Sequence, residues 1–378
     1  MRIILSSNTA WSLYNFRAGL IRALIDRGNQ VISVAPWDKF SLGLREMGCK
    51  VHDIVIDNKG ASPISDTKTF LSYRKIYRML EPDVVLHFTV KPNIYGTLAA
   101  RLLGVPCINM VTGLGTPFIH YSWLTSLVEL LYKLSQSWPR KVFFQNADDL
   151  GMFVERGLVS AEKAERLPGS GINLTQFQPA PPAGNSAPIF LLMARMLKDK
   201  GVVEFVEAAR IVKQQHPKVR FQLLGKLGAP NRTAIHNEQV AGWVKEGTVE
   251  YLGETDNVAP YIALADCIVL PSYREGMSRT LLEGAAMARP IVTTDVIGCR
   301  EIVEDCETGY LVKVRDSVDL ANKLERMRSL SNEQRAEMGR KGREKIQREF
   351  DEQIIIRRYL EVIDKLAGQC RQWAHGGE

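Results

Sequence analysis

The chain has 378 residues, a formal net charge of +7 and an apolar fraction of 45%. This length predicts two domains of ordinary size, and the basic balance favours anionic partners such as nucleotides, nucleic acid or lipid headgroups. The six cysteines form no C-x-x-C pair, which argues against a disulfide framework and for a reducing compartment. No apolar run reaches the roughly 18 residues of a membrane-spanning helix.

Apolar strands and amphipathic helices alternate through the first part of the chain. The predicted strands are 2–5, 31–35, 50–56, 84–88 and 106–111, and the predicted helices are 16–26, 40–47, 66–80 and 94–103. Such alternation is typical of a parallel sheet that is covered by helices on both faces. The sequence therefore predicts a doubly wound α/β domain.

A stretch rich in proline and small residues, 178–188, is the clearest linker in the chain. The alternation then restarts, and it predicts a second doubly wound domain. The predicted strands here include 189–193, 219–224 and 267–270, and the predicted helices include 201–215, 316–330, 332–347 and 351–367.

The segment from Cys267 to Pro290 reads as a strand (267–270), a loop (271–275) and a helix (276–287). The N-terminus of such a helix is electropositive and has unpaired N–H groups, so this unit predicts an anion site at the carboxyl edge of the sheet. Glu275 and Glu283 can accept hydrogen bonds from sugar hydroxyls. The segment thus predicts a ligand with phosphate and polyol parts, and the alternative is a solvated helix.

Two basic residues, Arg195 and Lys200, flank the turn after strand 189–193. A fork-shaped cation and a point charge together suit a diphosphate. Because parallel sheets bind ligands at the carboxyl ends of their strands, both residues are expected on the same edge as Glu275. The alternative interpretation is ordinary surface charge.

Several segments resemble the retaining nucleotide-sugar glycosyltransferases of family 4, which have the GT-B fold. Between residues 187 and 315 these segments are ARMLKDKG, QLLG, VEYLG, PSYREGMSRTLLEGAAMARPIVTTD and GCREIVEDCETGYLV. Residues 88–115 resemble bacterial galactosyl- and N-acetylgalactosaminyltransferases that extend lipid-diphosphate-linked saccharides. The resemblance implies two Rossmann-like domains facing a cleft: an acceptor domain (1–180), a nucleotide-sugar domain (187–350), and a last segment (351–378) returning to the first domain.

The resemblance also implies roles for the donor site. Arg195 and Lys200 would hold the donor diphosphate, and Glu275 would contact the transferred sugar; these three are the predicted catalytic residues. Glu283 would bind the ribose hydroxyls. The predicted donor-binding residues are Glu283, Gly276, Met277, Ser278 and Arg279, with backbone N–H groups of 276–278 completing the diphosphate cradle. The resemblance implies no metal and no cofactor. The sequence agrees, since the six histidines are dispersed and no Asp-x-Asp stands in a strand–loop setting.

Three loops after strands of the first domain are expected to meet the acceptor: 6–17, the TVKPN segment and 112–115. The predicted acceptor-binding residues are Asn15, Arg17, Lys91, Asn93 and Thr112. Arg17 and Lys91 are the candidates for the acceptor diphosphate, and the alternative for Arg17 is a cap on a surface helix. His87 is interpreted as a core histidine with its hydrogen bonds satisfied. For His120, a functional role and a core position both stay open.

Residues 118–141 combine an apolar stripe with interface-type aromatics and basic residues. This composition fits a helix lying on an anionic membrane surface, and the alternative is a core helix of the first domain. A lipid-linked acceptor would favour the membrane interpretation, because the enzyme would meet that acceptor at the membrane surface. We therefore expect a cytoplasmic protein peripherally associated with the inner face of the cell membrane.

The expected activity is the transfer of a hexose or N-acetylhexosamine, GalNAc or Gal, from a UDP-sugar to an undecaprenyl-diphosphate-linked saccharide with retention. Such saccharides build O-antigen, capsule or protein glycans. One alternative is a GT-B sugar-nucleotide epimerase, which lacks the Arg/Lys and E-x7-E set in this form. Another is a nucleic-acid-binding protein, for which no basic cluster with interleaved aromatics is present.

Overall fold

A computed structural model describes residues 1–57, 62–113, 123–181, 184–185, 187–228, 231 and 233–375. The chain forms two compact units. The first consists of Met1–Gly171 together with Glu352–Glu378, and the second is Ile172–Asp351. The first unit thus ends at Gly171, ahead of the boundary near residue 180 that the linker suggested.

Parallel strands form the centre of the first unit. The strands are β1 (Arg2–Ser6), β2 (Gln30–Ala35), β3 (Lys50–Asp53), β4 (Val84–Phe88), β5 (Cys107–Val111), β6 (Lys141–Phe144) and β7 (Ala164–Arg166). Their order in the sheet is β3-β2-β1-β4-β5-β6-β7. β4 and β5 are buried along their whole length, as expected for strands covered on both faces. The chain order reverses between β1 and β4.

Helices cover both faces of this sheet. They are α1 (Ala10–Asp26), α2 (Phe40–Glu46), α3 (Pro63–Leu80), α4 (Thr97–Leu102), α5 (Trp123–Gln136) and α6 (Ala147–Glu155), with a π-helical turn over Pro92–Gly96. α1 begins earlier than predicted because the side chain of Thr9 accepts a hydrogen bond from the Ser12 N–H and caps the helix. The predicted acceptor loop 6–17 is therefore wrong in extent, since Ala10 to Arg17 are helical.

The second unit repeats the architecture. Its strands are β8 (Ile189–Met193), β9 (Arg220–Leu224), β10 (Glu250–Tyr251), β11 (Cys267–Leu270), β12 (Ile291–Thr294) and β13 (Gly309–Val312). They pair in parallel in the order β10-β9-β8-β11-β12-β13, so the chain order reverses between β8 and β11. The helices are α7 (Val202–Gln215), α8 (Asn237–Lys245), α9 (Ala259–Leu264), α10 (Arg279–Ala286), α11 (Ser317–Ser329) and α12 (Asn332–Glu349).

The last helix, α13 (Glu352–His375), belongs to the first unit. Its apolar face joins the core around β1 and β4, and Tyr359 is almost fully buried there. The ring of Tyr359 packs 5.0 Å from the ring of Phe143 and 6.1 Å from that of Phe88. Within the described part of the chain, no helix has the length and apolar character needed to cross a bilayer.

Candidate active site

Two loops of the second unit meet where its strand order reverses, one after β8 and one after β11. A doubly wound sheet opens a crevice at this point, outside the carboxyl ends of its strands. The first loop carries Arg195 and Lys200, and the second carries Glu275. The structure thus brings the three predicted catalytic residues to one edge of one sheet.

The turn after β8 packs directly against the loop after β11 through Gly201. This residue has a φ of +70°, in the left-handed region that favours glycine. A Cβ built at Gly201 would lie only 2.1 Å from the carbonyl oxygen of Pro271. Glycine is required here by both conformation and space, and its absence of a side chain allows the two loops to touch.

Hydrogen bonds to one carbonyl oxygen fasten the two loops together. The backbone oxygen of Asp199 accepts from the Tyr273 N–H at 2.9 Å and from the hydroxyl of Ser272 at 3.1 Å. Ser272 is fully buried, so its bond is shielded from competing water. The turn 198–200 and the loop 271–275 are therefore held together at this carbonyl.

Lys200 and Glu275 form an ion pair across this junction. Lys200 Nζ lies 2.5 Å from Glu275 Oε1, and the two side chains are 19% and 14% exposed. Charges this sheltered are screened less than surface pairs. In the structure each group neutralises the charge of the other, so a ligand that bound either side chain would have to replace this contact.

A third loop, after β12, supports Glu275 from the other side. The N–H of Glu275 donates to the carbonyl of Ile297 at 3.0 Å, and the N–H of Ser278 donates to that of Gly298 at 2.9 Å. Gly298 has a φ of +78°, and a Cβ there would lie 2.5 Å from the Glu275 carbonyl oxygen. Because the Ser278 N–H already has a partner, its predicted place in the diphosphate cradle needs correction, while the roles of the Gly276 and Met277 N–H groups stay predictions.

Helix α10 begins at Arg279, three residues later than the sequence predicted. Met277 is buried in the core instead of forming the first helical turn. The first hydrogen bond inside the helix runs from the Leu282 N–H to the Ser278 carbonyl, so the N–H groups of Thr280 and Leu281 precede it. The hydroxyl of Thr280 donates to the Met193 carbonyl at 2.9 Å and places this end of α10 beside the end of β8.

Glu283 lies one helical turn after Arg279, on the same face of α10. Arg279 Nη2 is 3.3 Å from Glu283 Oε1. Burial raises the pKa of the Glu283 carboxyl above its ordinary value, and the guanidinium opposes this shift. The pair places a sheltered carboxylate in α10, eight positions after Glu275 in the chain.

Arg195 differs from Lys200 in that its side chain is exposed. Its guanidinium makes no hydrogen bond or ion pair to another residue in the described part of the chain. Its backbone is fixed, because its carbonyl accepts from the Leu197 N–H at 2.7 Å. Arg195 is therefore a cation at the carboxyl edge that is available to an anionic ligand.

In the first unit, Asn15 and Arg17 lie on α1 and not in a loop. The Asn15 carboxamide donates to the carbonyl of Trp11 at 2.9 Å. Arg17 is 5% exposed, and its guanidinium carbon lies 4.3 Å from the ring centroid of Phe88. Arg17 is thus a buried cation over an aromatic face, which rules out the alternative of a simple surface cap.

Lys91 and Asn93 follow β4 and are both engaged. Lys91 Nζ lies 2.7 Å from Asp66 Oδ1, and both side chains are mostly buried. Asn93 is completely buried, and its amide donates to the Met110 carbonyl at 2.7 Å. Asn93 therefore supports the loop from inside, so its predicted contact with an acceptor needs correction.

Thr112 follows β5 and is partly exposed at the carboxyl edge of the first sheet. The rest of the predicted TGLG loop beyond Gly113, together with His120 and residues 118–122 of the predicted surface helix, lies outside the described residues.

His87 is a core histidine, as predicted. It is fully buried on β4, with Nε2 2.8 Å from the hydroxyl of Tyr77 and Nδ1 2.9 Å from Oδ1 of Asn109. Desolvation lowers the pKa of His87 from 6.5 to about 4, while the bond to Asn109 opposes the shift. The imidazole is therefore neutral at physiological pH and stabilises the core through hydrogen bonds.

The described residues contain no cluster of three or more His, Cys, Asp or Glu side chains that could hold a metal ion.

Sequence reasoning missed three residues that support Glu275: Asp199, Ser272 and Gly298. Gly298 begins the segment GCREIVED, which was part of the resemblance. This glycine could have indicated a close contact with another loop, but its position in the sequence alone does not identify Glu275 as the partner.

Two family models match the chain, "Glycosyl transferase 4-like" over residues 2–146 and "Glycosyl transferases group 1" over residues 187–329. The chain is 30% identical to the N,N'-diacetylbacillosaminyl-diphospho-undecaprenol alpha-1,3-N-acetylgalactosaminyltransferase of Campylobacter jejuni, over 97% of this chain and 99% of that protein. It is 26% identical to the UDP-Gal:alpha-D-GlcNAc-diphosphoundecaprenol alpha-1,3-galactosyltransferase of Escherichia coli, over 71% of this chain and 72% of that protein.

Solved structures share the fold. Anabaena HepE in complex with UDP-glucose matches with a TM-score of 0.80 at 16% identity, covering 97% of this chain and all of that one. Sucrose-phosphate synthase from Thermosynechococcus elongatus matches with a TM-score of 0.80 at 18% identity, covering 98% of this chain and all of that one. These matches and the two doubly wound units confirm the predicted GT-B fold. The chain belongs to the group 1, family 4-like glycosyltransferases, and it is a hexosyltransferase.

Proposed function

We propose that this enzyme transfers a hexose or N-acetylhexosamine, GalNAc or Gal, from a UDP-sugar to an undecaprenyl-diphosphate-linked saccharide, with retention of anomeric configuration. The saccharide would belong to O-antigen, capsule or protein-glycan assembly. Support for the acceptor comes from the Campylobacter and Escherichia coli relatives, whose names specify diphospho-undecaprenol-linked sugars. Support for a UDP-sugar comes from the second of these names.

The observation that carries the donor proposal is the Lys200–Glu275 pair at the reversal of strand order. In the donor complex, Lys200 would turn from Glu275 to the diphosphate, and Arg195 would bind the same group. Glu275 would then accept hydrogen bonds from hydroxyls of the transferred sugar. Glu283, sheltered and held by Arg279, would accept from the ribose.

Bond cleavage leaves negative charge on the nucleotide diphosphate. Two cations and the N–H groups at the start of α10 would stabilise this charge, and because they are fixed beforehand they need little reorganisation. We propose that these groups are sufficient and that the reaction needs no added metal and no cofactor.

For the acceptor we propose the carboxyl edge of the first sheet, with Asn15, Arg17, Lys91 and Thr112. Lys91 resembles Lys200 in that a carboxylate, Asp66, holds it in the structure. An acceptor diphosphate would replace that carboxylate. Arg17 would add a second positive charge, while its guanidinium stays stacked on Phe88.

We further propose that α5 rests on an anionic membrane, on the cytoplasmic side of the cell membrane. Three leucines at helical spacing point away from the core: Leu127, Leu130 and Leu134 are 38%, 53% and 49% exposed. Lys133 is exposed beside them. Exposed leucines with a neighbouring cation suit the boundary between headgroups and acyl chains.

The test is a panel of UDP-sugars with short polyprenyl-diphosphate-linked saccharides as acceptors, in buffer with a chelator. We expect transfer from one or two of the donors, and the coupling constant of the new anomeric proton should show retention. Full activity with the chelator supports metal independence. No transfer from any UDP-sugar, or an inverted product, would contradict the proposal.

A further inference from the structure

Tyr273 connects the loop that carries Glu275 to the start of helix α7. Its hydroxyl donates to Glu204 Oε1 at 2.5 Å, in addition to the bond from its N–H to Asp199. Glu204 stands in the first turn of α7, and Tyr273 precedes Glu275 by two positions. The phenol thus fastens the loop that carries Glu275 to α7, in addition to the backbone bond that joins this loop to Asp199.

Arg315 covers the ring of Tyr273 from the loop after β13. Its guanidinium carbon lies 4.5 Å from the ring centroid, a distance typical of a cation–π contact. Arg315 has a φ of +59°, which is unfavourable for a residue with a side chain and is found where the surroundings enforce it. The surroundings thus hold Arg315 in a left-handed conformation while its guanidinium lies over Tyr273.

The carboxylate of Glu204 depends on the phenol. Its second oxygen, Oε2, is buried and has no hydrogen-bond partner among the described residues. The Tyr273 hydroxyl is therefore the donor that satisfies this group. Burial raises the pKa of Tyr273 well above its ordinary value, and the hydrogen bond to Glu204 raises it further. The phenol therefore remains a hydrogen-bond donor at every physiological pH.

We propose that Tyr273 is a positioning residue: its bond to Glu204, with Arg315 over its ring, fixes the loop so that Glu275 meets the transferred sugar. This inference rests on the proposed function of Glu275. Neither the resemblance nor the motif spacing assigns a role to Tyr273, Glu204 or Arg315. Losing the phenol would allow the loop to shift, and small displacements of a catalytic group reduce turnover strongly.

The first test is Tyr273→Phe, which keeps the ring and the Arg315 contact and removes only the hydroxyl. We expect kcat to fall about tenfold, the scale of one hydrogen bond to a charged group, with the acceptor KM unchanged. Tyr310→Phe is the matched control, because Tyr310 also lies under a guanidinium, that of Arg326 at 4.8 Å, but on a strand. Wild-type turnover in Tyr273→Phe, or an equal loss in Tyr310→Phe, would overturn the proposal.

A second variant separates positioning from stability. Arg315→Gly removes the cation and also relieves the left-handed backbone. We expect its melting temperature to stay at or above that of the wild type while kcat falls severalfold. A lower melting temperature with unchanged kcat would mean that Arg315 serves only the fold, and the proposal would fail.

Ligand-induced thermal shift provides a readout that needs no acceptor. UDP lacks the sugar, so the additional shift produced by UDP-sugar over UDP reports the sugar contact. Tyr273→Phe should keep the shift with UDP and lose most of the addition. An undiminished addition would refute the role of Tyr273. A wild-type protein that shows both shifts yet transfers to no lipid-linked acceptor would instead count against the proposed acceptor.

Discussion

The side chains of Lys200 and Glu275 lie 2.5 Å apart although 75 positions separate them in the chain. The contact exists because β8 and β11 are neighbours in the sheet and both loops leave at the same edge. In the structure each group balances the charge of the other. In the proposed donor complex, ligand contacts would replace this ion pair, which would limit the net cost of desolvating either charge.

Removing either partner should reduce catalysis strongly. We expect Lys200→Ala and Glu275→Ala each to lower turnover about tenfold to a thousandfold, the usual scale for one preorganised charge contact. The measurement is kcat with the preferred UDP-sugar.

The control is Lys341→Ala, which breaks an ion pair to Glu307 of the same length on the exposed surface of the second unit. It should leave turnover unchanged. Wild-type rates in Lys200→Ala or Glu275→Ala would remove the proposed roles.

Gly201→Ala should lower both stability and activity. The new Cβ meets the left-handed backbone penalty of about 1 kcal/mol, and the clash with the Pro271 carbonyl adds about 1–3 kcal/mol. Because that clash moves the loop bearing Glu275, kcat should fall as well. Urea unfolding and kinetics provide the two measurements.

Gly247→Ala separates the two effects. Gly247 has a similar φ of +73° but open space where its Cβ would be placed. The Gly247→Ala variant should lose only about 1 kcal/mol of its free energy of unfolding and keep full activity. Equal effects of the two substitutions would show that close packing against Pro271 is unimportant.

His87 should make the protein sensitive to acid. Its pKa is about 4 in the folded state against 6.5 ordinarily, so between these values the unfolded chain binds more protons. The associated stability is therefore complete above pH 6.5 and is lost as the pH falls through 4. This pH-dependent part of the free energy of unfolding amounts to about 3 kcal/mol, since each pKa unit corresponds to about 1.4 kcal/mol.

The test is urea unfolding at several pH values for the wild type and His87→Gln. The variant should be less stable at pH 7.5 but should lose less stability on going to pH 4.5. His52→Gln, at a partly exposed position on β3, is the control and should follow the wild type. Parallel pH curves for wild type and His87→Gln would disprove the assignment.

The exposed leucines of α5 should control membrane binding. We expect the triple change of Leu127, Leu130 and Leu134 to serine to lower cosedimentation with anionic vesicles about tenfold or more, since each buried apolar side chain contributes about 1.5–3 kcal/mol. Changing Leu264, which is 62% exposed on the second unit, to serine is the control. Undiminished binding by the triple variant would contradict a membrane role for α5.

The sequence by itself determined the periodicities that define both doubly wound units. It also determined the residue types of the proposed donor site. Alternating apolar runs specify a parallel sheet because strands buried on both faces must be continuously apolar. Arg195, Lys200 and Glu275 could be assigned to one edge because that edge collects the carboxyl ends of all the strands. These inferences need only local pattern and a topological rule.

Only the tertiary structure decided which groups are already engaged. Arg17 lies over Phe88, Asn93 is buried against Met110, and the Ser278 N–H bonds to Gly298. Each partner comes from a different element, and its distance depends on packing between elements that no spacing along the chain records. The same holds for Tyr273 and Glu204, whose contact joins the loop after β11 to the first turn of α7 and follows from no motif in the sequence.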